Sequence, residues 1–325
     1  MKPFQYATAL SPAGARELAG ENGAYLAGGN DLLALMKEYL VEPKILVNIK
    51  SLHGLNKIES DGNAWTLGAG VTVAELEDHE GLKQLFPGLQ QAAAEVGSRQ
   101  IRNVATLGGN LAQHSRCWYF RQRDVLCLKK GGDTCYARHG ENRYHSLFTG
   151  NTCISPVVSN LSIALTALDA TAIVRRGDKD VRMTLPELYA RAWDNPTAHN
   201  SLEPGDLLLK VEIPVQGRRS AYLQMSEKSA FDWALVSCAA AFKVQDGKIN
   251  QARIVLGAVS PAPYQAKSAN DFLEGKTLDD LEDKIAAQAA DLVLEKAHAQ
   301  THNAYKIPIA RALIRRVLLQ LKAQV

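Results

Sequence analysis

Four of the five cysteines in this chain, Cys117, Cys127, Cys135 and Cys153, fall in one stretch rich in Gly, Arg and Lys, and only Cys238 lies elsewhere. A thiol cluster of this kind constrains the fold, because it asks for a metal or a cluster to hold the thiols together. The spacing, Cys-x9-Cys-x7-Cys-x17-Cys, contains none of the Cys-x2–4-Cys knuckles of structural zinc sites. An iron–sulfur cluster needs four thiolates around one cubane and accepts wide spacing when the loop wraps it. Between Ser115 and His145 there are seven basic residues (Arg116, Arg121, Arg123, Lys129, Lys130, Arg138, Arg143) and three acidic ones (Asp124, Asp133, Glu141). That charge would offset an anionic cluster, and Lys130-Gly131-Gly132-Asp133 lets the chain bend around it. A [4Fe-4S] cluster on the four cysteines is the favoured reading. The alternatives are zinc, a nucleic-acid patch using Trp118-Tyr119-Phe120, and unliganded thiols. Cys238 sits in the apolar run Ala234–Ala240 and is expected in the core.

Over the whole chain Lys and Arg, 37, barely exceed Asp and Glu, 34, so the net charge of +3 gives no case for nucleic acid or an anionic membrane. The basic excess belongs to the cysteine loop. The start, Met1-Lys2-Pro3-Phe4-Gln5-Tyr6, lacks the apolar run of a signal peptide, and no stretch reaches the roughly 18 apolar residues of a membrane span. A cytoplasmic location is expected, with co-export on a signal-bearing partner as the alternative. His298 and His302, read as four apart on a helix, have no carboxylate or cysteine nearby and are expected to be a solvated face.

Two glycine turns add a second constraint. Ala27-Gly28-Gly29-Asn30-Asp31-Leu32 has the order strand, turn, helix, and Thr106-Leu107-Gly108-Gly109-Asn110-Leu111 repeats the style after Arg102-Asn103. Backbone amides at such turns can hold a pyrophosphate, and glycine is expected there because a side chain would block the anion. Neither turn is a Gly-x-Gly-x-x-Gly fingerprint. Each alone reads as an ordinary tight turn, but the pair points to one shared phosphate-bearing ligand.

The chain, 325 residues long, has room for two or three domains. Strands are predicted at Tyr25–Ala27, Ile45–Ile49, Thr66–Gly70, Ala172–Arg175, Val181–Met183, Leu207–Ile213, Ala221–Met225, Leu235–Val244 and Ile249–Leu256. Helices are predicted from Leu32, over Val73–His79, Leu89–Val96, Leu161–Leu168 and Leu185–Ala192, and at about Leu278–Glu295 and Tyr305–Leu321. Pro214-Val215-Gln216-Gly217 is the best domain boundary.

Taken together, these residues resemble the FAD-binding medium subunit of the molybdenum hydroxylases, the xanthine dehydrogenase and carbon monoxide dehydrogenase family, over essentially the whole length. Ala27–Leu32 and Thr106–Leu111 look like its two FAD loops. Asp232-Trp233-Ala234 and Ala304-Tyr305-Lys306 resemble landmarks of its C-terminal domain. The cysteine-bearing insertion is similar to that of two [4Fe-4S] subtypes, the three-subunit aldehyde oxidoreductases and the 4-hydroxybenzoyl-CoA reductases.

The resemblance implies an α+β fold. A two-subdomain FAD-binding domain of the vanillyl-alcohol-oxidase (PCMH-like) type would span 1–216, with subdomains of about 1–54 and 55–216 and the insertion at 114–154. A C-terminal α+β domain with a small sheet and helices would span 217–325. FAD contacts are implied at Ala27, Gly28, Gly29, Asn30, Asp31, Leu32, Arg102, Asn103, Thr106, Gly108, Gly109, Asn110 and Asn160. The family commonly has Asp where Asn160 stands. It often has Lys where Gln224 and Met225 stand, and Lys228 is the nearest candidate for that role. A molybdenum cofactor-binding large subunit and a [2Fe-2S] small subunit are the implied partners, with no catalytic residue on this chain. A zinc-stapled interaction module and a free-standing flavin oxidoreductase are the rival functions.

Overall fold

The computed structural model describes residues 1–324. Its first sheet is parallel and consists of β1 (Gln5–Thr8), β2 (Gly23–Leu26) and β3 (Ile45–Asn48), in the order β1-β3-β2. The central position of β3 explains its apolar run: Leu46 and Val47 are buried between two neighbours. The helix Pro12–Ala19 joins β1 to β2. Ser11 caps it by accepting the Gly14 N–H at 3.0 Å, with proline at the start, where no amide is needed.

The second sheet, antiparallel, is built from β4 (Ile58–Ser60), β5 (Ala64–Gly68), β6 (Thr171–Arg176), β7 (Lys179–Thr184) and β8 (Leu207–Pro214), in the order β4-β5-β8-β6-β7. The long excursion between β5 and β6 holds the second glycine turn and the cysteine insertion. It ends in the helix Asn160–Ala167, in which every residue is buried. A helix apolar on all sides must be enclosed, and this one packs against both the helix Pro87–Ala94 and the third sheet.

The third sheet, also antiparallel, contains β9 (Arg219–Met225), β10 (Val236–Gln245), β11 (Lys248–Gly257) and β12 (Tyr264–Gln265), in the order β12-β11-β10-β9. The helices Asp283–Leu294 and Lys306–Lys322 pair with each other, and the second lies on β9 and β10. Cys238 faces this core and is fully buried. Tyr222, Ala239, Ala241 and Val255 of the third sheet join the core of the preceding segments, so one apolar body runs through both halves.

The cysteine insertion carries only short turns, the helix Trp118–Arg121 and the 3-10 turns Leu128–Lys130 and Tyr136–Arg138. It docks on the third sheet through Leu147 and Phe148, whose amides both donate to the Val259 carbonyl, at 2.8 and 2.9 Å. His298 and His302 are not on a helix, although His302 is exposed to solvent as expected. They lie in the connection before the last helix, held at His302 by an N–H donated to Asn142 Oδ1 at 2.9 Å. No helix among the described residues is long and apolar enough to cross a membrane.

Candidate functional site

β2 ends in the first glycine turn, and the helix Leu32–Lys37 starts directly after it. The second turn opens the helix Leu107–Ala112, where Thr106 Oγ1 accepts the Gly109 N–H at 3.1 Å. A cavity of about 400 Å3 lies between the two turns. Its walls include Ala27 to Leu32, Glu95 to Gly97, Thr106, Gly109, Asn110, Gln113, His114, Arg116, Asn160 and Phe231 to Trp233. That size is within the roughly 300–1,000 Å3 of small-molecule sites.

The structure thus gathers Ala27, Gly28, Gly29, Asn30, Asp31, Leu32, Thr106, Gly109, Asn110 and Asn160 around one space. Arg102, Asn103, Gly108 and Lys228 stand outside its lining. Arg102 pairs with Glu77 at 2.7 Å and donates to the Val96 carbonyl at 3.2 Å, so it holds wall backbone in place. Asn103 caps the short helix Arg99–Arg102. Gly108 packs against Ala69. Lys228 sits on the exposed loop after β9, its N–H donated to Asp232 at 3.1 Å.

Glycine is required at the first turn for a reason other than room for an anion. A Cβ on Gly28 would lie 2.1 Å from the Val104 carbonyl oxygen, so the first turn packs backbone to backbone against the segment just before the second. At Gly29 the backbone is left-handed, φ +76°, and a Cβ would crowd Leu33 and Leu26 at 3.1 and 3.2 Å. Both substitutions act on the turn itself.

Asp31 is the hinge between this cavity and the cysteine insertion. Its carboxylate accepts from the His114 N–H at 2.8 Å and pairs with Arg121 at 2.7 Å and Arg116 at 3.0 Å. Burial alone would raise its pKa, but Arg116, Arg121 and the His114 amide together hold it below the ordinary carboxylate range. The stability this provides is present above the unfolded value of about 4 and is lost as pH falls through the lower folded value. Asp31→Asn should therefore lower stability by about 2 kcal/mol at neutral pH. In urea melts the gap to the wild type should close below about pH 4. A gap independent of pH would remove the ion pairs from the explanation.

A second polar network ties the cavity to the third sheet. Gln224 Oε1 accepts from Asn160 Nδ2 and from the Tyr222 hydroxyl, each at 3.0 Å, while Gln224 Nε2 donates to Glu95 at 3.0 Å. Gln224 thus fills the position for which Lys228 was considered. Burial, against the opposing charge of Arg102 and the Gln224 bond, pushes the Glu95 carboxyl up. Its side chain is exposed to solvent.

The four clustered cysteines line one small space, with Tyr119, Phe120, Lys129 and His145 among its walls. Neighbouring backbone amides favour the thiolate form, those of Phe120 and Tyr119 at Cys117 and those of Ile154 and Ala137 at Cys135. Burial, partly offset by these amides, pushes the Cys117 thiol up to about 11. Cys135 is held low, first because the Cys153 thiol donates to it. No group of three or more His, Cys, Asp or Glu among the described residues is drawn up to hold a metal ion. A single zinc would need the sulfurs to converge on one point, whereas a cubane takes one thiolate at each of four separate corners. Four cysteines around one space are a donor set that either group accepts. The space between the thiols, about 10 Å3, has room for about one water, so a cubane requires them to spread outward.

The basic residues divide in a way that spacing did not reveal. Lys129, buried, donates to the carbonyls of Pro196 and Ala198 at 3.1 and 2.8 Å and acts electrostatically on all four thiols. Arg138 donates to the Thr152 carbonyl at 2.7 Å and helps hold Cys135 low. Arg116 and Arg121 turn to Asp31 instead, and Arg116 also stacks on Trp233 with its guanidinium 4.4 Å from the ring centre. Charge compensation at the thiols therefore falls to two of the seven. Glu95 and His145 were not singled out from sequence, because each acts through a partner distant in the chain, and Arg116 and Gln224 were noted there for other reasons.

Two facing glycine turns over a cavity, on a mixed helix-and-sheet frame with a joined C-terminal sheet, suit a phosphate-bearing ligand. The chain belongs to the flavoprotein family of the molybdenum dehydrogenases. The family described as FAD binding domain in molybdopterin dehydrogenase matches residues 2–216, and CO dehydrogenase flavoprotein C-terminal domain matches 220–321. The aldehyde oxidoreductase FAD-binding subunit PaoB of Escherichia coli is 31% identical, with 100% of both chains covered. The carbon monoxide dehydrogenase medium chain of Hydrogenophaga pseudoflava is 26% identical, covering 97% of this chain and 96% of its own. Among solved structures, quinoline 2-oxidoreductase from Pseudomonas putida 86 aligns at a TM-score of 0.76 and 25% identity, covering 99% of this chain and 98% of that one. Cu,Mo-CO dehydrogenase shares the fold at a TM-score of 0.77 over 100% of both chains, with 24% identity.

The cavity fits FAD in the chemistry of its lining: backbone amides at two glycine turns, a positive Arg116 and apolar walls. As an oxidoreductase subunit of this family the chain binds and orients the flavin, whose ring supplies the electron chemistry.

Proposed function

We propose that this chain is the electron-transfer flavoprotein subunit of a molybdenum hydroxylase complex and carries a [4Fe-4S] cluster in addition to FAD. A molybdenum cofactor-binding large subunit would act on the substrate, an aldehyde or an aromatic compound. A [2Fe-2S] small subunit would exchange electrons with the FAD here, which passes them to or from an external partner. The full-length similarity to an aldehyde oxidoreductase FAD-binding subunit favours the aldehyde. We assign FAD to the cavity residues named above and the cluster to Cys117, Cys127, Cys135 and Cys153. The FAD-binding part is taken as 1–216, with subdomains 1–54 and 55–216 and the insertion 114–154, and the C-terminal part as 217–325.

The observation that carries this reading is Asp31. It belongs to the first glycine turn, yet its carboxylate is held by Arg116 and Arg121 of the cysteine insertion. Arg116 directly precedes Cys117, so the cavity and the thiol cluster share one rigid joint. In this division of labour Asp31, Arg116 and Arg121 fix the first turn, Gly109 and Asn110 close the second, and Asn160 anchors the far wall through Gln224.

The test is anaerobic addition of an aldehyde, and separately of an aromatic thioester, to the purified complex. Bleaching of the flavin band by an aldehyde is expected. A chain that purifies alone and reduces oxygen with a substrate of its own would replace this reading with a free-standing flavin oxidase.

A further inference from the structure

We propose that His145 donates its Nε2–H to the sulfur of Cys117 and thereby raises the reduction potential of an iron–sulfur cluster bound by the four cysteines. This inference rests on the cluster reading above and extends it to a residue outside the thiol set. His145 Nε2 lies 3.2 Å from Cys117 Sγ, within reach of an N–H···S bond. The residue is buried, its ring set against Trp118 and Tyr119 with ring centres 5.9 and 6.4 Å away. The other nitrogen, Nδ1, is buried without any partner. A thiolate sulfur can only accept, so a neutral imidazole facing it must carry its single proton on Nε2.

The surroundings hold the ring in that position. The His145 amide donates to the Asn142 carbonyl at 2.9 Å. Its carbonyl accepts from Lys306 Nζ at 3.0 Å and Asn303 Nδ2 at 3.1 Å. Lys306 is itself fully buried and donates to the Ala258 carbonyl at 2.8 Å. The start of the last helix therefore fixes His145 against Cys117 from the opposite side of the insertion. His145 is a positioning residue for the cluster, one that draws electron density from a ligating sulfur. A cluster whose sulfur accepts a hydrogen bond takes up an electron more readily.

The test compares wild type, His145→Phe and His145→Gln in the intact complex by redox titration of the reduced cluster's paramagnetic resonance signal. His145→Phe keeps a ring but loses the donor. It is expected to lower the reduced-to-oxidised ratio at a fixed potential at least about tenfold, about 59 mV for a one-electron couple. His145→Gln retains an N–H and should recover part of that shift, which a merely space-filling role would not produce. If His145→Phe fails to take up iron, the wild type alone still decides. With 15N-labelled histidine, a coupling between the His145 ring nitrogen and the reduced cluster is expected there, a signal that the Tyr119 and Phe120 backbone amides beside Cys117 cannot give. Equal potentials in all three proteins, or a wild-type cluster with no coupled histidine nitrogen, overturn the inference. A wild type without iron and sulfide overturns the cluster reading instead, and elemental analysis separates that outcome from the others.

Discussion

Gly28→Ala is expected to give a folded protein that purifies without flavin. The added methyl would sit 2.1 Å from the Val104 carbonyl oxygen and 2.9 Å from its carbon, closer than nonbonded atoms come. Relief requires the first glycine turn to move off the segment before the second, and the amides of both turns then no longer converge. A loss of about 100-fold or more in FAD affinity follows, about 2.7 kcal/mol or more. Gly109→Ala is the internal comparison. Its Cβ would meet only the Thr106 hydroxyl at 3.1 Å, a contact that a small rotation relieves, so most of the affinity should remain. Fluorescence titration of the apoprotein with FAD ranks the two, with circular dichroism to confirm folding. Equal affinities would mean that contact between the turns does not shape the site.

The second large effect concerns the thiols. Cys135→Ser should abolish iron binding, whereas Cys238→Ser should leave it unchanged. Cys135 lines the same small space as Cys117, Cys127 and Cys153, so its loss removes one of the four ligands. Cys238 is fully buried in the core of the third sheet. Wild-type protein is expected to contain about four iron and four sulfide per chain, the content of one cubane. One equivalent of zinc would sink the idea, since the four thiols would then hold a single ion. Lys129→Gln should disturb the cluster more than Arg123→Gln. Lys129 is buried among the thiols, and Arg123 lies over the Tyr39 ring at 5.0 Å.

What could be read in advance followed from local chemistry. The strand, turn and helix around Gly28 were legible because a short apolar run meets two glycines and then a helical apolar period. The buried helix Asn160–Ala167 and strand β10 were legible from largely apolar runs between turn residues, and β11 from its apolar second half. The first strand and the helix Pro12–Ala19 were not. Phe4 and Tyr6 are exposed, which blurs the strand pattern, and Pro12 reads as a break although it stands at a helix start. The long helical pattern expected from Leu278 begins only at Asp283, since the residues before it turn to pair with the start of β11.

The site was legible as two glycine turns and four cysteines, but the contacts joining them were not. Asp31 with Arg116 and Arg121, Glu95 with Gln224, and His145 with Lys306 each bring together residues 85 or more positions apart. Side chains of that kind leave no periodic trace. The basic excess pointed to the thiols as a group, yet geometry sends Arg116 and Arg121 to the flavin cavity. Lys228 was considered because it is the nearest lysine, but strand register places Gln224 at the cavity wall network, opposite Ser237 on β10.

The most direct test of the central claim, that this cavity holds FAD, is the flavin released by acid from the purified wild-type chain together with its visible spectrum. The account predicts one FAD per chain, with flavin absorption that disappears in Gly28→Ala. A colourless wild-type protein, or one that keeps its full flavin content in Gly28→Ala, would contradict it.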